Sequence, residues 1–131
     1  MKLRFQEYMI RNWKKGDALS ISKYANNRKI WLNLRDGFPH PYSIENAKQF
    51  ICNAISKHPG TFFALTSSKE AIGSIGISIG EDVHRYTAEL GYWLAEPYWG
   101  KEPKISNYKN KCLVNKVFYL GVCEIPLNIN Q

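Results

Sequence analysis

The sequence predicts a single α/β (α+β) domain in which a first strand is followed by helices and then by three strands in a meander. Three stretches carry that reading. Ser43 to Ile55 places Ala47, Phe50, Ile51, Ala54 and Ile55 at the i, i+3, i+4, i+7, i+8 spacing of one helix face. Ala71 to Ile79 alternates, with Ile75, Ile77 and Ile79 on one side and Ser74, Gly76 and Ser78 on the other. Tyr86 to Leu94 alternates again, with Glu89, Gly91 and Trp93 opposite Leu90, Tyr92 and Leu94, before Pro97 blocks any continuation of the ladder.

Arg4 to Trp13 alternates imperfectly through Phe5, Tyr8, Ile10 and Trp13 and predicts the first strand. Gly16-Asp17 supplies a turn and an N-cap for a helix with Ala18, Ile21 and Ala25 on its stripe. Asn26-Asn27 breaks that helix before a second short one carrying Ile30, Trp31 and Leu34, which Gly37 ends. Phe38-Pro39-His40-Pro41-Tyr42 cannot be helical, because each proline lacks an N–H and biases its predecessor toward extended geometry. His40 reads as part of a packed connector, with Phe38 and Tyr42 left open between packing and binding.

Ser43 is a good N-cap for the clearest helix, with Glu45 in the favoured first turn, and His58-Pro59-Gly60 stops it. Thr61 to Thr66 is aromatic and β-branched, Ser67 to Glu70 is turn material, and the two runs around it read as a hairpin. Gly80-Glu81-Asp82 turns the chain into the next strand. Beyond Lys101 the texture becomes rich in Asn, Lys and Ile without a stripe, and Val117 to Cys123 is apolar enough for a buried strand.

The 131 residues suffice for a core without disulfides or a metal. With no long apolar run, the sequence predicts no membrane span, and the start, Met-Lys-Leu-Arg-Phe-Gln-Glu, does not read as a signal peptide. Cys52, Cys112 and Cys123 are odd in number and lack metal-type spacing, which predicts ordinary thiols in a cytoplasmic protein with no metal site. The net charge of +7 is uneven: nine Lys/Arg against two acids up to Arg35, but four against seven from Asp36 to Gly100. Without a basic block or an aromatic-interleaved motif, this favours a solvated basic face over a nucleic-acid surface.

Three blocks from Leu3 to Lys101 resemble a known family. They are NNRKIWLNLRDGFPHPY (Asn26 to Tyr42), AIGSIGI (Ala71 to Ile77) and, most specific, ELGYWLAEPYWGK (Glu89 to Lys101). The stretch is similar to the GNAT N-acetyltransferases, and within them to the ribosomal-protein N-terminal acetyltransferases. The resemblance implies a mixed, mostly antiparallel sheet flanked by helices, with acetyl-CoA as co-substrate held where the fourth strand splays from the fifth. It implies pantetheine pairing with the strand backbone at Tyr92, Trp93 and Leu94, and pyrophosphate on a glycine-containing turn whose start is matched by Trp99, Gly100 and Lys101. Amides at such a turn deliver positive potential without a bulky side chain.

The implied chemistry is direct transfer of acetyl to a primary amine, either a protein N-terminus or a small molecule. Glu89 is the candidate base or water-orienter; its other reading is a carboxylate that pairs with a basic neighbour and positions a loop. His84 reads as a solvated turn residue, Trp31 and Trp93 as core, and Trp99 as functional because it adjoins the turn.

After Lys101 the sequence departs from the family. Glu102 stands where a small residue belongs and Pro103 removes an N–H; at a few ångströms and an effective dielectric of ~20, each like-charge contact costs on the order of several kcal/mol. Residues 1–101 therefore read as the N-terminal part of a GNAT domain, and 102–131 as an atypical tail with room for one strand or helix, the C-terminal half being incomplete. A truncated or frame-shifted chain would explain the change of composition. The competing reading is a non-catalytic GNAT-like protein with weak or no acetyl-CoA binding, stabilised by self-association as a homodimer.

Overall fold

The computed structural model describes residues 2–5, 7–34, 37–57, 60–100 and 121–126. Six strands form one sheet in sequence order: β1 (Lys2–Phe5), β2 (Tyr8–Arg11), β3 (Phe62–Thr66), β4 (Ala71–Ile79), β5 (Thr87–Leu94) and β6 (Gly121–Pro126). Helices α1 (Ala18–Ala25), α2 (Arg28–Trp31) and α3 (Ile44–Ser56) lie between β2 and β3. The predicted α/β class, helices beside a mostly antiparallel sheet, is what the chain adopts, and every pairing among the described strands is antiparallel.

Three elements differ from their predicted form. The single strand predicted over Arg4 to Trp13 is a hairpin: Phe5 pairs with Tyr8, so the chain reverses around Glu7 and the imperfect alternation spans two short strands. The helix predicted to end at Gly37 ends at Trp31, capped at its start by the Asn27 side chain, which accepts from the Lys29 N–H at 2.9 Å. The strand predicted over Val117 to Cys123 is Gly121–Pro126, which pairs with β5 from Thr87 to Tyr92; residues 117–120 lie outside the described residues. Part of the tail thus belongs to the sheet.

Asp17 stands at the predicted N-cap but does not use its carboxylate there. It turns back instead: Oδ2 accepts from the Lys14 N–H at 2.9 Å, and the Arg11 guanidinium donates to both oxygens at 2.8 Å. Burial alone would raise the Asp17 pKa, but the hydrogen bonds from Arg11 and Lys14, with the charge of Arg11, hold it below the ordinary carboxylate value. A lowered folded-state pKa means stability that is complete above the unfolded value of about 3.9 and lost as the pH falls through the folded one. Asp17→Asn is expected to cost about 1.5 kcal/mol at pH 7, with the difference from wild type shrinking below about pH 4. Urea midpoints at pH 7 and pH 3 measure this; equal midpoints at neutral pH would refute it.

The helices cover one sheet face. α3 begins in a capping box, Ser43 with Asn46, and buries Ala47, Ile51 and Ala54; α1 buries Ala18, Ile21 and Ala25 against it. Small residues let the helices approach Ala64, Ala71 and Trp93 closely. Tyr8, Leu65, Ile72, Leu94 and Ala95 form a second cluster. Farther along β4, Ile77 and Ile79 are 41% and 63% exposed, although Leu90 opposite Ile77 is buried.

Candidate functional site

The register of β4 and β5 decides which side chains meet. Ser74, Gly76 and Ser78 lie opposite Trp93, Gly91 and Glu89, so these six share one face. It is the helix-side face, and over it the Phe38–Tyr42 loop and α3 leave a groove of about 570 Å³. The floor is low because β4 contributes only glycine and serine there and β5 contributes Gly91. Glu89, half-buried, lines one end and Trp93 another part of the wall.

Aromatic contacts fix the roof. Phe38 stacks on Tyr42 with centroids 5.1 Å apart and meets Trp93 edge-on at 6.3 Å, while Phe50 of α3 meets Phe62 edge-on at 6.0 Å. The Tyr42 N–H donates to Asn26 Oδ1 at 3.0 Å, tying the loop to the end of α1. Burial pushes the Tyr42 phenol up to about 12, so it stays protonated at any working pH and can donate a hydrogen bond but cannot serve as a base. On α3, Gln49 and Asn53, one helical turn apart, reach the groove at its polar rim. A second cavity, of about 450 Å³ beside Trp13, Lys57 and Phe63, has no carboxylate among its described lining residues.

The strand edge implied for a pantetheine chain can be traced through the backbone. Gly80 N–H donates to Thr87 O, and Ala95 N–H donates to Ile72 O. With a two-residue period, Thr87, Glu89, Gly91 and Trp93 therefore turn their backbone groups toward β4, and Tyr92 and Leu94 turn theirs the other way. Tyr92 lies opposite Gly121 of β6, whereas Leu94 lies beyond that pairing and its carbonyl accepts the Trp99 indole N–H at 2.7 Å.

The structure thus brings Glu89 and Trp93 into the groove, and sets Tyr92 and Leu94 on the outer edge of β5. Tyr92 also lines the groove. Trp99 packs against both core clusters, with its N–H committed to Leu94. Gly100, at φ +72°, adopts the left-handed conformation that favours glycine, as a turn start requires. Lys101, Glu102 and Pro103 lie outside the described residues. Trp31 is not in the groove wall but stacks on His40 at 5.1 Å, which makes both part of the connector. His84 falls in the short turn before β5.

Sequence reasoning left Phe38 and Tyr42 open and did not nominate Ser74, Ser78, Gly76, Gly91, Gln49 or Asn53. The signal that marks four of these is the run of small residues on alternate positions of two paired strands.

Residues 8–103 match the family model described as the acetyltransferase (GNAT) domain. No curated protein is matched. Among solved structures, the chain is similar to a GNAT-family acetyltransferase from Bacillus anthracis, at TM-score 0.61 and 16% identity, covering 77% of this chain and 57% of that one. It is similar to RimL, a ribosomal-protein alpha-N acetyltransferase solved with coenzyme A, at TM-score 0.61 and 19% identity over 77% and 59% of the two chains. A ribosomal-protein-S5-alanine acetyltransferase from Vibrio fischeri matches at TM-score 0.58 and 22% identity over 77% and 59%. The chain therefore spans less than two thirds of the length of these structures.

Proposed function

The chain belongs to the GNAT acetyltransferase family, and from that premise we propose that it transfers an acetyl group from acetyl-CoA to a primary amine, a protein N-terminus or a small amine, by direct attack. The observation that supports this best is the position of Glu89, on the groove face of β5, five residues before Leu94 on the outer edge of the same strand. An acceptor amine arrives protonated and must lose a proton before it can attack. The Glu89 carboxylate attracts the ammonium and takes that proton directly or through one water. Acetyl-CoA supplies the thioester: the amine nitrogen forms the new C–N bond, the C–S bond breaks, and the departing thiolate takes the second proton. Backbone N–H groups at the end of β5 polarise the carbonyl, and Trp99, Gly100 and Lys101 start the turn for the phosphates.

The related structures solved with coenzyme A, RimL and a RimJ from Mycobacterium smegmatis, are consistent with this co-substrate. The odd, widely spaced cysteines support a cytoplasmic location. Among the described residues no helix is long and apolar enough to cross a membrane, and no group of side chains could hold a metal ion.

A second reading is favoured by three observations: Leu94 O is taken by Trp99, β6 pairs with β5 as far as Tyr92, and Glu102-Pro103 stands where a phosphate turn needs a small residue and an N–H. It is a GNAT-like protein that binds acetyl-CoA weakly or not at all and persists as a homodimer. Isothermal titration with acetyl-CoA separates the two. A micromolar dissociation constant is expected for the enzyme; absence of binding by folded protein would sink it and leave the second reading.

A further inference from the structure

Two successive asparagines end α1 and start α2, and each reaches a different part of the molecule. Asn26 Oδ1 accepts the Tyr42 N–H at 3.0 Å and so holds the loop over the groove. Asn27 Nδ2 donates to Glu96 Oε2 at 2.6 Å, 69 positions away in the chain. Glu96 opens the turn Glu96–Tyr98, which carries the chain from the end of β5 to Trp99 and Gly100.

The Asn27 bond is well prepared. Its Oδ1 already accepts the Lys29 N–H at 2.9 Å as the cap of α2, so the amide plane is set by the helix start. An ionised acceptor makes the bond from Nδ2 charge-assisted. Lys29 Nζ donates to the other carboxylate oxygen at 2.6 Å, but Lys29 is 67% exposed, and such an ion pair contributes little by itself. A second tie comes from α1, where the Tyr24 ring meets Tyr98 edge-on at 6.4 Å and the Tyr24 hydroxyl donates to Glu70 at 2.6 Å. One short junction thus fixes both the groove roof and the turn after β5.

We propose that Asn27 is a positioning residue that acts through Glu96, setting the turn at Trp99 and Gly100 in register with the roof that Asn26 holds. Phosphates at that turn need its N–H groups accurately placed. The edge of β5 is fixed instead by pairing with β4 and does not depend on the junction. The assignment rests on the acetyl-CoA reading above, and its test separates the two.

The test measures dissociation constants of the full chain for acetyl-CoA and for S-acetylpantetheine, which keeps the strand-pairing arm but has no phosphate. Their ratio reads the contribution of the turn. Asn27→Asp keeps an oxygen for the Lys29 N–H but cannot donate to Glu96, and it brings two carboxylates together. It is expected to weaken acetyl-CoA ~10-fold or more while changing S-acetylpantetheine less than ~3-fold. Asn27→Asp combined with Glu96→Gln exchanges donor and acceptor at unchanged net charge, and is expected to recover most of the lost affinity. Should Asn27→Asp not fold, Glu96→Gln alone is expected to weaken acetyl-CoA selectively. It removes a negative charge, which by itself would favour phosphates, so a loss there reports position. A wild-type ratio near one, equal weakening of both ligands, an unchanged ratio in the variants, or no recovery in the double variant would each overturn the assignment and leave acetyl transfer standing. Failure of the wild type to bind acetyl-CoA would overturn the acetyl-transfer reading and this assignment with it.

Discussion

Replacing Glu89 by glutamine is expected to lower kcat for acetyl transfer by about 100- to 10,000-fold, the usual contribution of a positioned general base. The substitution is nearly isosteric, and Glu89 is half-buried on β5 opposite Ser78, so the strand and its pairing should persist. What glutamine lacks is the ability to take the proton from the acceptor ammonium. Binding of acetyl-CoA, which the proposal assigns to the outer edge of β5 rather than to its groove face, should change little. The measurement is kcat, KM for the amine, and melting temperature together. If Glu89 only positions a neighbouring segment, kcat would fall by less than ~10-fold and the melting temperature would move instead, and the base assignment would be withdrawn.

Gly73→Ala is expected to destabilise the fold by about 3 kcal/mol or more. The register shifts between Leu65 and Thr66, where β3 passes from pairing with Gly73 to pairing with Ala71. At this bulge a Cβ on Gly73 would collide with the Trp93 carbonyl oxygen and stand 3.2 Å from the Leu94 Cα. Both obstacles are backbone of a central strand, which cannot rotate away as a side chain can. For a domain of this size each kcal/mol lowers the melting temperature by roughly 3–5 °C. A variant that melts with wild type would show that β5 can shift, and the bulge would then not be the constraint described. Gly91→Ala is the control, since it adds the same methyl group one strand away, where no atom among the described residues lies within 4 Å.

Much of this fold is written in repeating patterns. α3 is legible because Ala47, Ile51 and Ala54 recur at helical spacing behind Ser43, and β4 and β5 because their alternation runs for several residues. The β1–β2 hairpin is not, since four-residue strands on either side of Glu7 are too short to break the look of one strand. The Asp17 carboxylate shows a different limit: its residue type predicts a cap, but Arg11 six positions earlier offers a stronger, charge-assisted partner. For the groove, Glu89 was legible as a strand carboxylate, while the space around it was not. That space comes from Phe38, Tyr42 and Phe50 arching over residues notable only for being small. Trp99 illustrates the converse, because its neighbours in sequence suggest a ligand, yet its N–H goes to Leu94 O.

The helical insertion between β2 and β3 also shapes what can vary. Arg11 and Ala64 pair across 53 positions, whereas Thr66 and Ala71 pair across five. Closure entropy grows only logarithmically with loop length, so the long closure costs about 2 kcal/mol more than the short one, and doubling it would add only about 0.6 kcal/mol. Residues inserted or removed near Phe38–Tyr42 therefore leave the strand registers almost untouched, while one residue gained between β3 and β4 would flip a face. The segment that roofs the groove thus lies in the longer of these two closures, whose length the fold constrains less, which lets the shape of the groove diverge without rebuilding the sheet beneath it.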